Sequence, residues 1–204
     1  MKIRIAALLL ALGIPVSAFA TVGGPQNIEV LGYEVKDQKL YLLRHYLDGR
    51  GRLPQLYYYH FKSKTPHQLI QVNSLYINPK TKQIDYDQDS RKFDQEIAKI
   101  KKRLIPLVPL QKQNIQLKLL KTCKGTAPAW HDPKQKVPKW TYQYQVQSSQ
   151  YKSPVQQAVS YKADLRLSQT YQVPKQNKIL VTVKYLGLPF ETGYDIEDPA
   201  LLSR

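Results

Sequence analysis

The chain is poor in residues that staple, cradle or attack. A single cysteine, Cys123, excludes a disulfide within the chain. Only nine glycines occur in 204 residues, so phosphate and oxyanion cradles are thinly supplied, and neither a Gly-rich phosphate loop nor G-x-S-x-G nor H-E-x-x-H is present. Acidic residues are scarce as well, 15 against 31 Lys and Arg. No apolar run approaches the ~20 residues that a membrane-spanning helix needs. These absences argue against a nucleophilic hydrolase, a nucleotide-binding fold and a helical membrane protein, and they turn attention to what is abundant: lysine and tyrosine.

The start of the chain, "MKIRIAALLLALGIPVSAFATVGG", reads as a secretory signal peptide over residues 1–20. Lys2 and Arg4 give a positive beginning, residues 5–16 an apolar run too short to span, and Ala18-Phe19-Ala20 a small-x-small cleavage site. Cleavage near Ala20 predicts a periplasmic or secreted protein over 21–204, one β-rich domain or two small lobes at 21–106 and 107–204. Its loss takes two of the 31 basic residues and leaves 29 against 15 acidic ones, a formal charge of +14. Such a field draws polyanions. For an exported protein these are anionic lipid, lipopolysaccharide or an acidic envelope protein rather than nucleic acid.

Hydrophobic patterning predicts an α+β class, mainly antiparallel β-meanders with one principal amphipathic helix. Residues 27–35, 39–47, 53–61 and 68–77 are rich in β-branched and aromatic residues and are separated by turn-like KDQ, DGRG and KSKTP. Their connectors fall short of the roughly a dozen residues a parallel crossover needs, so a four-stranded meander is expected. From Ser90 the period changes: Phe93, Ile97, Ile100 and Leu104 share one helical face, and Pro106 is the stop. Strands resume at 114–122. Residues 125–140, with Pro128, Pro133 and Pro138, are expected to form a long surface loop. Strands follow at 140–147, where Trp140, Tyr142, Tyr144 and Val146 alternate with polar residues, at 161–167 and at 178–188. The acidic, Pro- and Gly-marked residues after 188 are expected to lie over the surface, and Cys123, behind an apolar stretch, to be a buried, inert thiol.

Three groups of residues carry chemistry. In "DYDQDSRKFDQE", residues 85–96, Asp85, Asp87, Asp89 and Glu96 stand at the first, third, fifth and twelfth positions of a calcium loop. Ser90 replaces the turn glycine, and the helical face begins too early for such a loop, so the same residues also read as a helix start with Asp89 or Ser90 as cap. Among the histidines, His60 and His67 flank one turn without an evident third ligand, and His131 stands beside Asp132 in a loop. Fifteen tyrosines against four phenylalanines is the third feature. In "YYY" Tyr57 and Tyr59 must face opposite to Tyr58. Tyrosine joins an apolar ring to a polar tip, which suits half-exposed strands and ligand surfaces alike.

The sequence thus points to an exported, non-enzymatic binding protein that meets anionic envelope components or an acidic partner, with Trp130, His131, Asp132, Trp140, Tyr57 and Tyr59 as candidate ligand-binding residues. No cofactor is implied beyond calcium at the acidic stretch. Two other readings remain: an envelope hydrolase acting on glycan or peptide around Trp130 to Asp132, and a structural or assembly subunit using its tyrosine-rich face.

Overall fold

The structure, a computed structural model, describes residues 23–111 and 114–204; the expected signal peptide lies outside the described residues. The first four strands, β1 (Gln26–Glu34), β2 (Lys39–Tyr46), β3 (Gln55–His60) and β4 (Leu69–Gln71), form the expected antiparallel meander. Strand β2 is apolar on both sides, because both of its faces are covered. Leu40 and Leu42 look one way, Tyr41 and Leu43 the other.

The helix, α1 (Ser90–Lys101), is as periodic as the sequence suggests, with Phe93 and Ile97 buried and Ile100 and Leu104 packed at the margin. It covers the Tyr41, Leu43 and Leu56 side of the meander, together with Tyr76 from a short 3-10 turn (Ser74–Tyr76). After it come β5 (Val108–Pro109), β6 (Gln116–Pro128), β7 (Lys136–Gln147), β8 (Gln156–Ser160), β9 (Arg166–Gln172), β10 (Lys178–Leu188) and β11 (Tyr194–Ser203).

Two sheets result. One has eight strands in the order β4-β3-β2-β1-β11-β10-β9-β5, and the other is β6-β7-β8. The small sheet lies over one face of β10 and β11, where the alternating Tyr142, Tyr144 and Val146 of β7 pack on Val181, Val183, Tyr185 and Leu202. The opposite face of β10 and β11 supplies Leu180 and Leu201 to a second core with Ile28, Tyr33, Leu40, Leu42 and Tyr59. The two halves of the large sheet meet through a parallel pairing of β1 with β11, registered at Gln26 and Ile196.

Polar clamps hold that junction. Glu197, which is buried, accepts hydrogen bonds from the Ile28 backbone N–H, from Thr182 and from Gln169. Arg44 of β2 reaches Asp198 at 2.6 Å, and the Tyr185 hydroxyl donates to the same carboxylate. Tyr59 donates to the Pro199 carbonyl at 3.1 Å.

Several expectations are overturned. The α+β class is corrected to mainly β: 50% of the described residues are strand and 9% helical, and the principal core lies between sheets. Periodicity made α1 conspicuous because half of it is wet, but a twelve-residue helix over one meander does not set the architecture. The two meanders are not linked merely by a helix, since β11 inserts between β1 and β10. The residues expected over the surface therefore form an interior strand, with Ala200, Leu201 and Leu202 almost wholly buried. Their acidic members, Glu197 and Asp198, made them look like a tail, yet both carboxylates are engaged by the clamps above.

The expected loop over 125–140 is a hairpin arm. Strands β6 and β7 stay in register to Pro128 and Lys136, leaving a short turn between them. Proline is tolerated because β8 pairs β7 only from Trp140 onward, so Pro138 sits on an edge. Residues 161–165 are turn rather than strand, and β9 begins at Arg166. Cys123 is exposed, not buried: β6 is solvated on both faces, and the apolar stretch before it marks no core.

Candidate functional site

The acidic stretch is already engaged within the fold. Asp89 caps α1, its Oδ1 accepting from the Arg91 backbone N–H at 2.9 Å. That bond and the Arg91 guanidinium hold the Asp89 carboxyl below its ordinary range. Asp87 pairs with Arg50 at 2.6 Å, Asp85 accepts from Asn78 and from the Asp87 N–H, and Glu96 pairs with Lys99 within the helix. Among the described residues no group of three His, Cys, Asp or Glu side chains is placed to hold a metal. Asp89→Ala is expected to lower Tm by a few degrees through loss of the cap, and by the same amount in millimolar calcium as in excess chelator. A calcium-dependent difference between the two melts would reinstate the metal loop.

His67 looks across to β11, its Nδ1 3.2 Å from the Leu201 carbonyl and its Nε2 3.1 Å from Ser203. Burial lowers its pKa, which suits a neutral ring tying the turn before β4 to β11. His45 pairs with Glu29 at 2.8 Å. These rings fasten strands together and do not converge on one another. At the tip of the β6–β7 arm, His131 Nε2 contacts Gln135 at 3.2 Å, and Asp132 accepts from the Lys134 N–H at 2.9 Å. Both residues stabilise their own turn. Ser149 and Lys152 happen to stand at S-x-x-K spacing, but in the turn between β7 and β8 and not along a helix that would place them on one face.

One depression, of about 370 Å³, is lined by Asn114, Gln116, Gln147, Ser148 and Ser149. Neither a ring nor a charge lines it, so it offers a ligand little beyond weak hydrogen bonding. A smaller region holds more chemistry. The loop between β2 and β3, "LDGRGR", turns on Gly49 and Gly51, both at positive φ, and swings Arg52 back over Tyr46. The guanidinium carbon stands 3.6 Å from the Tyr46 ring centroid, a cation–π stack. Arg52 also lies 3.2 Å from Asp48, out of line for a hydrogen bond, and its Nε is shielded from water.

Two cavities flank this stack. One, of about 120 Å³, is walled by Tyr46, Arg52, Gln55, Tyr57, Gln71 and Tyr86. The other, of about 190 Å³, is lined by Tyr46, Arg52, Leu188 and Phe190 together with Gly23, Gly24, Gln26 and Asp48. Burial pushes up the Tyr57 hydroxyl pKa, and its hydrogen bond with Tyr46 pushes the same way. Tyr86 receives a bond from Gln71 and meets the ring of buried Tyr76 at a tilt, centroids 4.9 Å apart. At the far end, Trp130 meets the Phe190 ring edge-on at 6.2 Å. A strip of aromatic rings therefore runs from the hairpin tip to the β3 surface, with one arginine in its middle.

Of the residues expected to bind ligand, the structure brings Tyr57, Trp130 and His131 to this strip. Asp132 remains at the turn, Tyr59 is buried against β11, and Trp140 packs at the border of the inter-sheet core. Tyr46, Arg52, Tyr86 and Phe190 were not anticipated. The legible signal was "HYLDGRGR", a glycine turn with a ring before it and an arginine after it; Phe190 was hidden in the supposed tail. Comparison of the chain with protein-family models, with curated proteins and with solved structures finds no match.

Proposed function

We propose that the protein is an exported, non-enzymatic binding protein that holds an anionic glycan or similar envelope polyanion along the aromatic strip, with Arg52 as its charge anchor. The observation that carries this reading is the Arg52–Tyr46 stack between two ring-lined cavities. Flat sugar faces stack on aromatic rings, and a carboxylate or phosphate branch meets the guanidinium in a site partly closed to water. The smaller cavity holds about four water volumes. That suits one anionic substituent, not a whole sugar. The +14 charge expected after signal cleavage supports capture of polyanions over a longer range. The engagement of His131 and Asp132 in their own turn speaks against the hydrolase reading.

The test is titration of purified protein with lipopolysaccharide and with a neutral glycan, at two ionic strengths. Arg52→Ala is expected to weaken lipopolysaccharide binding about tenfold or more, the cost of one charge-assisted hydrogen-bonded contact. Arg52→Lys should rescue little, because lysine neither stacks flat nor forks. Equal binding by wild type and Arg52→Ala would reduce the interaction to unspecific surface charge and end this reading.

A further inference from the structure

Strand β6 has the length of a core strand and the surroundings of none. It runs for thirteen residues, over 40 Å at roughly 3.4 Å per residue, as the outermost member of its sheet. Among the described residues β7 pairs its inner side and no strand pairs its outer side. Apart from Leu117, which packs at the border of the inter-sheet core, and half-buried Ala127, both faces are wet, to the extent that Leu119 is 51% and Leu120 44% exposed. An open edge of this length is a template for another strand, and proteins ordinarily shorten, cover or bend such edges. Here the single bulge, between Leu119 and Lys121, leaves long regular stretches on either side.

Charge identifies the occupant. Residues 116–147 carry Lys118, Lys121, Lys124, Lys134, Lys136 and Lys139, with Asp132 as their only acidic residue. A second copy is disfavoured: antiparallel self-pairing about Lys121 sets Lys121 against itself and crowds the neighbouring lysines of both copies along one edge, and like charges opposite each other destabilise a pair. A strand bearing carboxylates at those positions gains what a copy loses. We propose that β6 is a docking edge that pairs, backbone to backbone, with an extended acidic segment of a partner protein, apolar residues of that segment covering Leu119 and Leu120. This edge runs along β6 and adjoins the Arg52 strip at the hairpin tip, where Trp130 follows the strand.

The probe is a synthetic peptide alternating valine and glutamate, titrated into the whole protein at low salt. Two controls accompany it: the same peptide with lysine for glutamate, and the acidic peptide N-methylated along one backbone edge. The acidic peptide is expected to slow hydrogen exchange in β6. Each control should bind at least about tenfold more weakly, having lost either the charge match or several backbone bonds. A triple variant, Lys118→Glu with Lys121→Glu and Lys124→Glu, should keep its melting point, reject the acidic peptide and accept the lysine one, while Arg52→Ala changes nothing. If the N-methylated peptide binds equally well, the attraction is charge alone and the docking edge is refuted. The same holds if exchange slows elsewhere, if no peptide binds, or if light scattering shows a dimer that the triple variant dissolves. The N-methyl comparison uses wild-type protein and stands even if the triple variant misfolds.

Discussion

Glu197→Ala is expected to lower the unfolding free energy by about 3–5 kcal/mol, since several buried donors lose a charged acceptor at once. The affected groups are the Ile28 N–H of β1, Thr182 of β10 and Gln169 of β9, so one substitution loosens four strands. It strikes where the large sheet is thinnest, the parallel junction registered at Gln26 and Ile196. Burial alone would raise the Glu197 pKa. Hydrogen bonds from Ile28, Thr182, Ser168 and Gln169 outweigh it, and the net shift is downward from the ordinary 4.5. A carboxylate whose folded pKa is depressed gives its full stability above the unfolded value and loses it as pH falls through the folded one. Wild-type stability should therefore be level above about pH 4.5 as far as this group is concerned, and decline below it. Urea unfolding from neutral pH to about pH 3 measures both effects. Glu197→Gln should lose stability at neutral pH and show a shallower acid decline. An unchanged acid limb in that variant would mean that Glu197 is not the titrating clamp.

Gly32→Ala should cost about 2–4 kcal/mol, from backbone strain together with a collision that cannot be relieved by a rotamer change. Gly32 sits at a bulge in β1 with φ +139°. An added Cβ would stand 2.8 Å from the Ile105 carbonyl oxygen and 2.9 Å from the Leu104 Cβ. The neighbouring Tyr33 exchanges two backbone hydrogen bonds with Ile105, each 2.9 Å. These bonds anchor the segment leaving α1, and displacing it detaches the helix from the meander. The control is Gly125→Ala on the solvated arm, where a Cβ meets nothing within 4 Å and stability should move by no more than about 0.5 kcal/mol. Matched thermal melts and exchange rates in α1 decide the point. Equal small effects at both positions would show that residues 104–105 can retreat freely.

Helix α1 and strand β7 were readable because each has one wet face, so period and burial coincide: Phe93 and Ile97 on the helix, Tyr142 and Tyr144 on β7. The first meander, with both faces of β2 covered, was readable from its turns and its β-branched and aromatic residues. Reading failed at two later strands. Strand β6 is solvated on both sides and looked like the approach to a core; β11 carries Glu197 and Asp198 inside and looked like a tail. A sequence does not state that a buried carboxylate is satisfied by a strand almost the whole chain away. The candidate site was partly legible for the same reason. Tyr57 and Trp130 stood out as rings, whereas their meeting with Tyr46, Arg52 and Phe190 depends on three loops converging.

The interior place of β11 also sets a timetable. Its pairing with β1 links Ile196 to Gln26, so the first strand, once synthesised, waits with a bare edge until about 170 further residues have been made. At about 5–20 residues per second that interval is roughly ten to thirty seconds, far longer than a hairpin needs to form. The early meander must pass this time exposed to wrong partners or shielded by a chaperone, and the large sheet closes only when its late strand slides into the gap.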